Sequence, residues 1–82
     1  MKIDGKTYEI VRGSDVERDG MYLEVSVGVN GTRKLIAEVF YSDVTHTMTF
    51  TAFQPDIPLE VIETLAASAR ESLPPIEKEA AE

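Results

Sequence analysis

Residues 21–41 read MYLEVSVGVNGTRKLIAEVFY, two runs of alternating apolar side chains on either side of an Asn-Gly pair. An apolar side chain at every second position over such a run predicts a β-strand with one buried face. Asn-Gly between two such runs is the strongest short signal for a β-hairpin. The sequence therefore predicts an antiparallel hairpin at the centre of the fold.

The register of this hairpin follows from the side chains that must share a face. A two-residue loop would place Val25 opposite Ile36 and mix the two faces. A three-residue loop at 29–31 places Val25 opposite Leu35, so that the strongly apolar side chains of both strands lie on one face. We therefore expect a three-residue loop, with Gly31 in the left-handed region as a bulge.

The remaining segments predict two further strands and a helix. Alternating patterns indicate strands at 6–12 and 47–53, with a loop at 13–20 before the hairpin. Residues 59–73 have helical spacing. The predicted buried stripe of this helix consists of Leu59, Ile62, Leu65, Ala66, Ala69 and Leu73. We expect Asp56 to cap the helix and the proline pair at 74–75 to end it.

These elements predict an α+β fold, a four-stranded antiparallel meander sheet with one C-terminal helix packed across one face (ββββα). We expect a single domain over residues 1–73 and an acidic, frayed tail over residues 74–82. At 82 residues the chain has room for one hydrophobic core.

The composition excludes several classes of function. Eight basic and fifteen acidic side chains give a net charge of −7, which argues against duplex DNA or an anionic membrane as partner. The chain has no cysteine and one histidine, so it offers no disulfide, no thiolate metal site and no site with two histidine ligands. No apolar run approaches a membrane span, and we expect a cytoplasmic protein without a cofactor.

Two segments imitate functional motifs. Asp15, Glu17, Asp19 and Gly20 have the spacing of the first half of a calcium-binding EF-hand loop. Ser26 stands where the bidentate glutamate is required, so a hydrated polar loop is favoured, and weak cation binding between Asp15 and Gly20 stays open.

Ser42, Asp43 and His46 contain the residue types of a nucleophile, an orienting acid and a base. Residues this close in sequence seldom converge on one point in space, so a solvent-exposed turn histidine is favoured. We therefore predict no catalytic residue, no metal ligand and no enzyme.

The face of the sheet that lacks a helix carries the strongest functional signal. The expected register places four large side chains there, Tyr22, Ile36, Phe40 and Phe53. A single helix cannot cover both faces of a sheet, so these residues predict an apolar patch for protein binding. The leading hypothesis is a small acidic non-catalytic interaction module, a regulator, inhibitor or immunity-type protein. Its partner is another protein or a second copy, and a homodimer through this face is the simplest form.

The alternative is a sheet domain that binds single-stranded nucleic acid, as some transcriptional coactivators of similar topology do. Arg12, Arg33 and Lys34 near strand ends would supply the positive charge and the outward aromatics would stack on bases. The net charge of −7 disfavours this alternative. A small enzyme is the third hypothesis.

Overall fold

The fold is an antiparallel meander of five strands followed by one helix, as seen in a computed structural model that describes residues 1–29 and 31–73. The elements are β1 (Lys2–Ile3), β2 (Lys6–Asp15), β3 (Gly20–Val29), β4 (Thr32–Ser42), β5 (Met48–Ala52) and α1 (Leu59–Ser72). The predicted α+β class and strand order are confirmed, and the two-residue β1 adds to the four expected strands. The expected tail at 74–82 lies outside the described residues.

Strand β2 extends to Asp15, past the predicted end at residue 12, because Gly13 does not interrupt it. Gly13 pairs with Tyr22 of β3, and the Tyr22 ring occupies the space where a β-carbon of residue 13 would lie. A ring from the neighbouring strand compensates for the missing side chain of a glycine in a sheet. The predicted loop at 13–20 is therefore reduced to residues 16–19.

Strands β3 and β4 change register part of the way along. At the turn Val29 pairs with Thr32, which leaves only residues 30 and 31 between the strands, and Gly31 has a positive φ of 78° as expected. Farther from the turn Val25 pairs with Ala37, which is one residue later in β4 than the register at the turn would give. The predicted three-residue loop is thus wrong, because a β-bulge in β4 reconciles the short turn with the apolar alternation.

The bulge reverses the predicted orientation of two residues in β4. Leu35 pairs with Ser26 and is 40% exposed, whereas Ile36, the extra residue, is only 5% exposed and belongs to the core. The prediction that Ile36 faces away from the helix is therefore wrong. Beyond the bulge Ala37 and Val39 lie inward with the buried residues of β3, as the alternation predicts.

Helix α1 packs on β3 and β4 with a narrower stripe than the sequence predicts. Its buried side chains are Val61, Leu65 and Ala69, followed by Leu73 just after the helix. Leu59 is 66% exposed and Ala66 is also exposed, so these two members of the predicted stripe are wrong. The part of the helix that contacts the sheet is therefore narrower than the predicted apolar stripe. It includes Val61, which was not in that stripe.

The N-terminus of α1 is built by backbone groups. Pro58 is the N-cap, and its carbonyl accepts hydrogen bonds from the amides of Val61 and Ile62 at 3.0 and 3.3 Å. Among the described residues no side chain caps the helix, so the expected role of Asp56 is wrong. Within residues 1–29 and 31–73, no helix has the length and apolar character needed to cross a membrane.

Candidate interaction surface

The face of the sheet opposite α1, called the outer face below, is organised in cross-strand rows. The first row contains the paired aromatic residues Tyr22 and Phe40, and the second contains the paired carboxylates Glu24 and Glu38. Leu35 lies in the third row opposite Ser26. The outer face therefore alternates apolar and acidic rows.

Each ring of the aromatic row lies close to a glycine of a neighbouring strand. The Phe40 ring approaches Gly20 closely enough to exclude a β-carbon there, as Tyr22 does over Gly13. The guanidinium of Arg18 lies over the Phe40 ring, with its carbon atom 4.1 Å from the ring centroid. Such cation–π contacts stabilise a loop against a sheet. Phe40 is therefore partly covered by the loop that joins β2 to β3.

Arg18 also neutralises part of the acidic row. Its Nη2 donates to Oε2 of Glu38 at 2.8 Å, and its Nε donates to Oδ2 of Asp15 at 2.6 Å. The hydrogen bonds to Glu38, followed by those to Asp15, raise the pKa of Arg18. The hydrogen bond from Arg18 is also the main cause of a lowered pKa at Asp15. The sequence analysis missed this network, although Asp15 stands three residues before Arg18.

In the segment that resembles the first half of a calcium-binding loop, the first carboxylate, Asp15, is held by hydrogen bonds within the protein. Oδ1 of Asp15 accepts hydrogen bonds from the amides of Glu17 and Arg18, at 3.1 and 3.3 Å. Both oxygens of Asp15 therefore hold the turn and the arginine in place, rather than being only hydrated as expected. Across the described ranges, no three or more histidine or acidic side chains come together as a potential metal site.

Glu24 differs from Glu38 in its partners. The two residues are directly opposite each other on β3 and β4, an arrangement in which like charges repel. Glu38 is almost buried and bound to Arg18, while Glu24 is partly exposed. None of the ion pairs between described residues includes Glu24. A cationic group that approached the outer face would therefore find an acceptor at Glu24.

The structure places three of the four predicted patch residues on the outer face. Tyr22 and Phe40 are half-buried, and Phe53 is 45% exposed beside β4, with its amide bonded to the Ile36 carbonyl at 2.8 Å. Leu35 takes the place predicted for Ile36. The conflict between a two-residue Asn-Gly loop and the apolar alternation was the signal that could have revealed the bulge.

The serine and the histidine of the β4–β5 turn make separate contacts. Oγ of Ser42 accepts hydrogen bonds from the amides of Val44 and Thr45, each at 3.1 Å, and so stabilises the turn. Nδ1 of His46 lies 3.2 Å from the hydroxyl of Tyr41, and the exposed histidine has a positive φ of 62°. These contacts assign His46 and Ser42 to turn structure.

Comparison of the chain with protein-family models, with curated proteins and with solved structures finds no match. The function is therefore inferred from the surface of the molecule itself. That surface combines exposed apolar side chains with an acidic row.

Proposed function

We propose that this chain is a small acidic, non-catalytic and cytoplasmic interaction module that binds another protein through the outer face. The observation that supports the proposal is the exposure of two large apolar side chains on the outer face, Leu35 at 40% and Phe53 at 45%. Apolar side chains surrounded by polar groups are typical of protein interfaces. A regulator, an inhibitor or an immunity-type protein would act in this way.

The acidic row supports a partner of basic character. Glu24 lies between the aromatic row and Leu35, and it has no cationic partner in the part of the chain that the structure describes. The net charge of −7 would accelerate association with a positively charged protein surface. We therefore propose a partner that presents an apolar side chain next to a lysine or arginine.

Capture from the native cell with matched variants tests this proposal. Leu35→Lys places a charge in the interface without entering the core, and Val44→Lys makes the same kind of change at an exposed turn residue. We expect the wild type and Val44→Lys to retain the same protein, and Leu35→Lys to lose it while its melting temperature stays close to that of the wild type. Retention of that protein by a folded Leu35→Lys variant would contradict the proposal.

The same capture distinguishes the nucleic-acid alternative. Arg33 already binds Oε1 of Glu9 and the Ser26 hydroxyl, each at 2.8 Å, and Arg12 lies near the sulfur of Met21 on the helix-bearing side. The basic residues thus do not form one groove on the outer face. Binding to phosphates weakens steeply with salt, so captured nucleic acid released by moderate salt would favour the alternative.

A further inference from the structure

Strand β5 forms one edge of the sheet and lies in the longest uncharged segment of the chain. Residues 44–55 contain no Asp, Glu, Lys or Arg, although these residue types make up 28% of the sequence. Natural edge strands are usually protected against pairing by charges, prolines or bulges. Strand β5, which reads MTFTA, has none of these features. Its exposed edge is therefore suited to accept another strand.

The opposite side of the sheet is protected in the usual way. Strand β1 covers only the first residues of β2, with Lys2 paired to Thr7 and Ile3 to Lys6. The remainder of β2 carries Arg12 and Asp15. Short length and charge therefore protect this edge, and the contrast singles out β5.

The hydrogen-bond pattern shows which backbone groups β5 offers. The Ser42 amide donates to the Thr47 carbonyl at 3.0 Å, and the Phe53 amide donates to the Ile36 carbonyl at 2.8 Å. In an antiparallel ladder the residues that bond to the neighbour alternate with residues that point their amide and carbonyl away. Between these two anchors, Met48, Phe50 and Ala52 therefore direct their backbone groups to the open edge.

We propose that β5 pairs antiparallel with β5 of a second copy of this chain, about a two-fold axis at Phe50. In this register Phe50 meets Phe50, and Met48 meets Ala52 of the second copy. Each of these pairs exchanges two hydrogen bonds, so that every outward backbone group of β5 is satisfied. If the two strands were shifted along each other in either direction, at least one of Met48, Phe50 and Ala52 would no longer face one of these three residues in the second copy.

The side chains of β5 match the same symmetry. Because MTFTA reads apolar, Thr, Phe, Thr, apolar in both directions, the two-fold register pairs Thr49 with Thr51 and aromatic with aromatic. Such cross-strand pairs stabilise antiparallel sheets. Near a two-fold axis a charged group would lie close to the same group of the second copy and would be repelled by it. A strand without charges avoids this repulsion, which favours a second copy over an unrelated partner.

The helix-bearing side of β5 provides apolar surface for the second copy to cover. Phe50 is 47% exposed and lines a groove of about 160 Å³ between β5 and α1. Met48 and Ala66 contribute apolar surface to the same groove, and Arg70 of α1 also lines it. The Phe50 ring of the second copy would lie beside this groove. The proposed pairing uses the edge and this side of the sheet, so it is independent of the outer face.

The mass of the protein in solution, measured by light scattering over a range of concentrations, tests the pairing. We expect a dimer for the wild type and for Leu35→Lys, and a folded monomer for Phe50→Lys and Ala52→Pro. Proline at 52 removes an amide that does not bond to β4, and edge strands tolerate proline at such positions. Leu35 is the matched control, because it is an apolar strand residue with exposure similar to that of Phe50.

Each outcome of this measurement is decisive. A monomeric wild type, or an Ala52→Pro variant that remains a dimer, would overturn the β5 pairing. Loss of the dimer in Leu35→Lys alone would assign self-association to the outer face and would also overturn it. Dimers that persist in Leu35→Lys while the captured protein is lost would support both proposals separately.

Disulfide trapping gives a second test that does not depend on the stability of the variants. The chain has no cysteine, so any cross-link comes from the introduced residue. Phe50→Cys would face its own copy at a Cα separation of about 5.5 Å, within the range for a disulfide. Thr51→Cys would face Thr49 and stay uncross-linked under mild oxidation. Equal cross-linking of both variants, or of Thr51→Cys alone, would contradict the proposed axis.

Discussion

Arg18 connects three parts of the molecule through one side chain. It covers the ring of Phe40, binds the carboxylate of Glu38 on β4, and closes the turn that begins at Asp15. The loop between β2 and β3 is thereby held against the outer face. The sequence shows which residues of this loop are charged but not which residues they contact. Nothing in its pattern predicts that Arg18 binds Glu38, which lies twenty residues away along the chain.

The Asp15 contacts predict a pH dependence of stability. The pKa of Asp15 is lowered from its ordinary value of 3.8 by the hydrogen bond from Arg18. A carboxyl whose pKa is lower in the folded state stabilises the fold above its unfolded pKa, and this contribution is lost as the pH falls through the folded value. We expect Asp15→Asn to lower the melting temperature near pH 7, and the difference from wild type to shrink as the pH falls below 3.8.

A matched control isolates the interaction with Arg18. Asp43 is exposed and none of the ion pairs between described residues includes it, so Asp43→Asn removes a carboxylate without removing such a pair. Melting curves recorded across the same pH range should show little difference between Asp43→Asn and the wild type. If the two variants behave alike, the Arg18 contact does not stabilise the fold.

Two glycines of the sheet should respond differently to alanine. A β-carbon at Gly20 would meet the backbone carbonyl of Tyr41 as well as the Phe40 ring, while one at Gly13 would meet only the Tyr22 side chain. Backbone in a paired strand moves less easily than the end of a side chain. We expect Gly20→Ala to reduce the free energy of unfolding by about 1–3 kcal/mol, the usual range for overpacking, and Gly13→Ala to reduce it less.

Urea unfolding followed by circular dichroism measures both variants. A loss for Gly13→Ala equal to or larger than that for Gly20→Ala would show that the Tyr22 ring is as firmly fixed as the backbone. It would also indicate that the aromatic row is a rigid part of the sheet.

At the scale of elements, the strands were predictable but the register between β3 and β4 was not. Alternation located β3 and β4 because one face of each is buried. The predicted register assumed a constant offset along the hairpin, which forced a choice between the Asn-Gly turn and the apolar face. The bulge satisfies both, and it moves Ile36 into the core and Leu35 to the surface. A single inserted residue therefore changed one of the four residues of the predicted patch.

The helix was predicted with nearly correct ends and a buried stripe that is only partly correct, because Leu65, Ala69 and Leu73 are buried whereas Leu59 and Ala66 are exposed. Apolar side chains from Leu59 to Leu73 cover a wide arc, and periodicity locates the arc without showing which part touches the sheet. The structure places Val61 and Leu65 at full burial and leaves Leu59 exposed. Packing on β3 and β4, which local sequence does not encode, determines this orientation.

Alanine substitutions test the orientation of the helix. Leu65→Ala empties a fully buried site and should reduce the free energy of unfolding by about 2–5 kcal/mol. Leu59→Ala, although it removes the same side chain, should change it by no more than about 0.5 kcal/mol because Leu59 lies largely in solvent. Chemical denaturation of the two variants checks this difference. Similar losses at both positions would show that α1 is rotated toward the predicted stripe.

At the scale of the whole molecule, charged side chains are distributed unevenly among the strands. Every other strand and α1 contain charged side chains, whereas β5 contains none. The sequence analysis predicted one helix for a sheet with two faces, and therefore one uncovered face. It could not predict that Arg18 partly covers that face, or that the backbone edge of β5 is the more distinctive surface, because both depend on register and loop direction.

The sequential order of the strands also bears on how fast the chain folds. Each ladder joins neighbours in the sequence, from β1 with β2 to β4 with β5, across connections of two to five residues. Closing such short loops costs little conformational entropy, and domains dominated by local pairing fold faster than sheets assembled from distant segments. The meander can therefore grow hairpin by hairpin, and α1 is the one described element that covers the apolar face of the sheet.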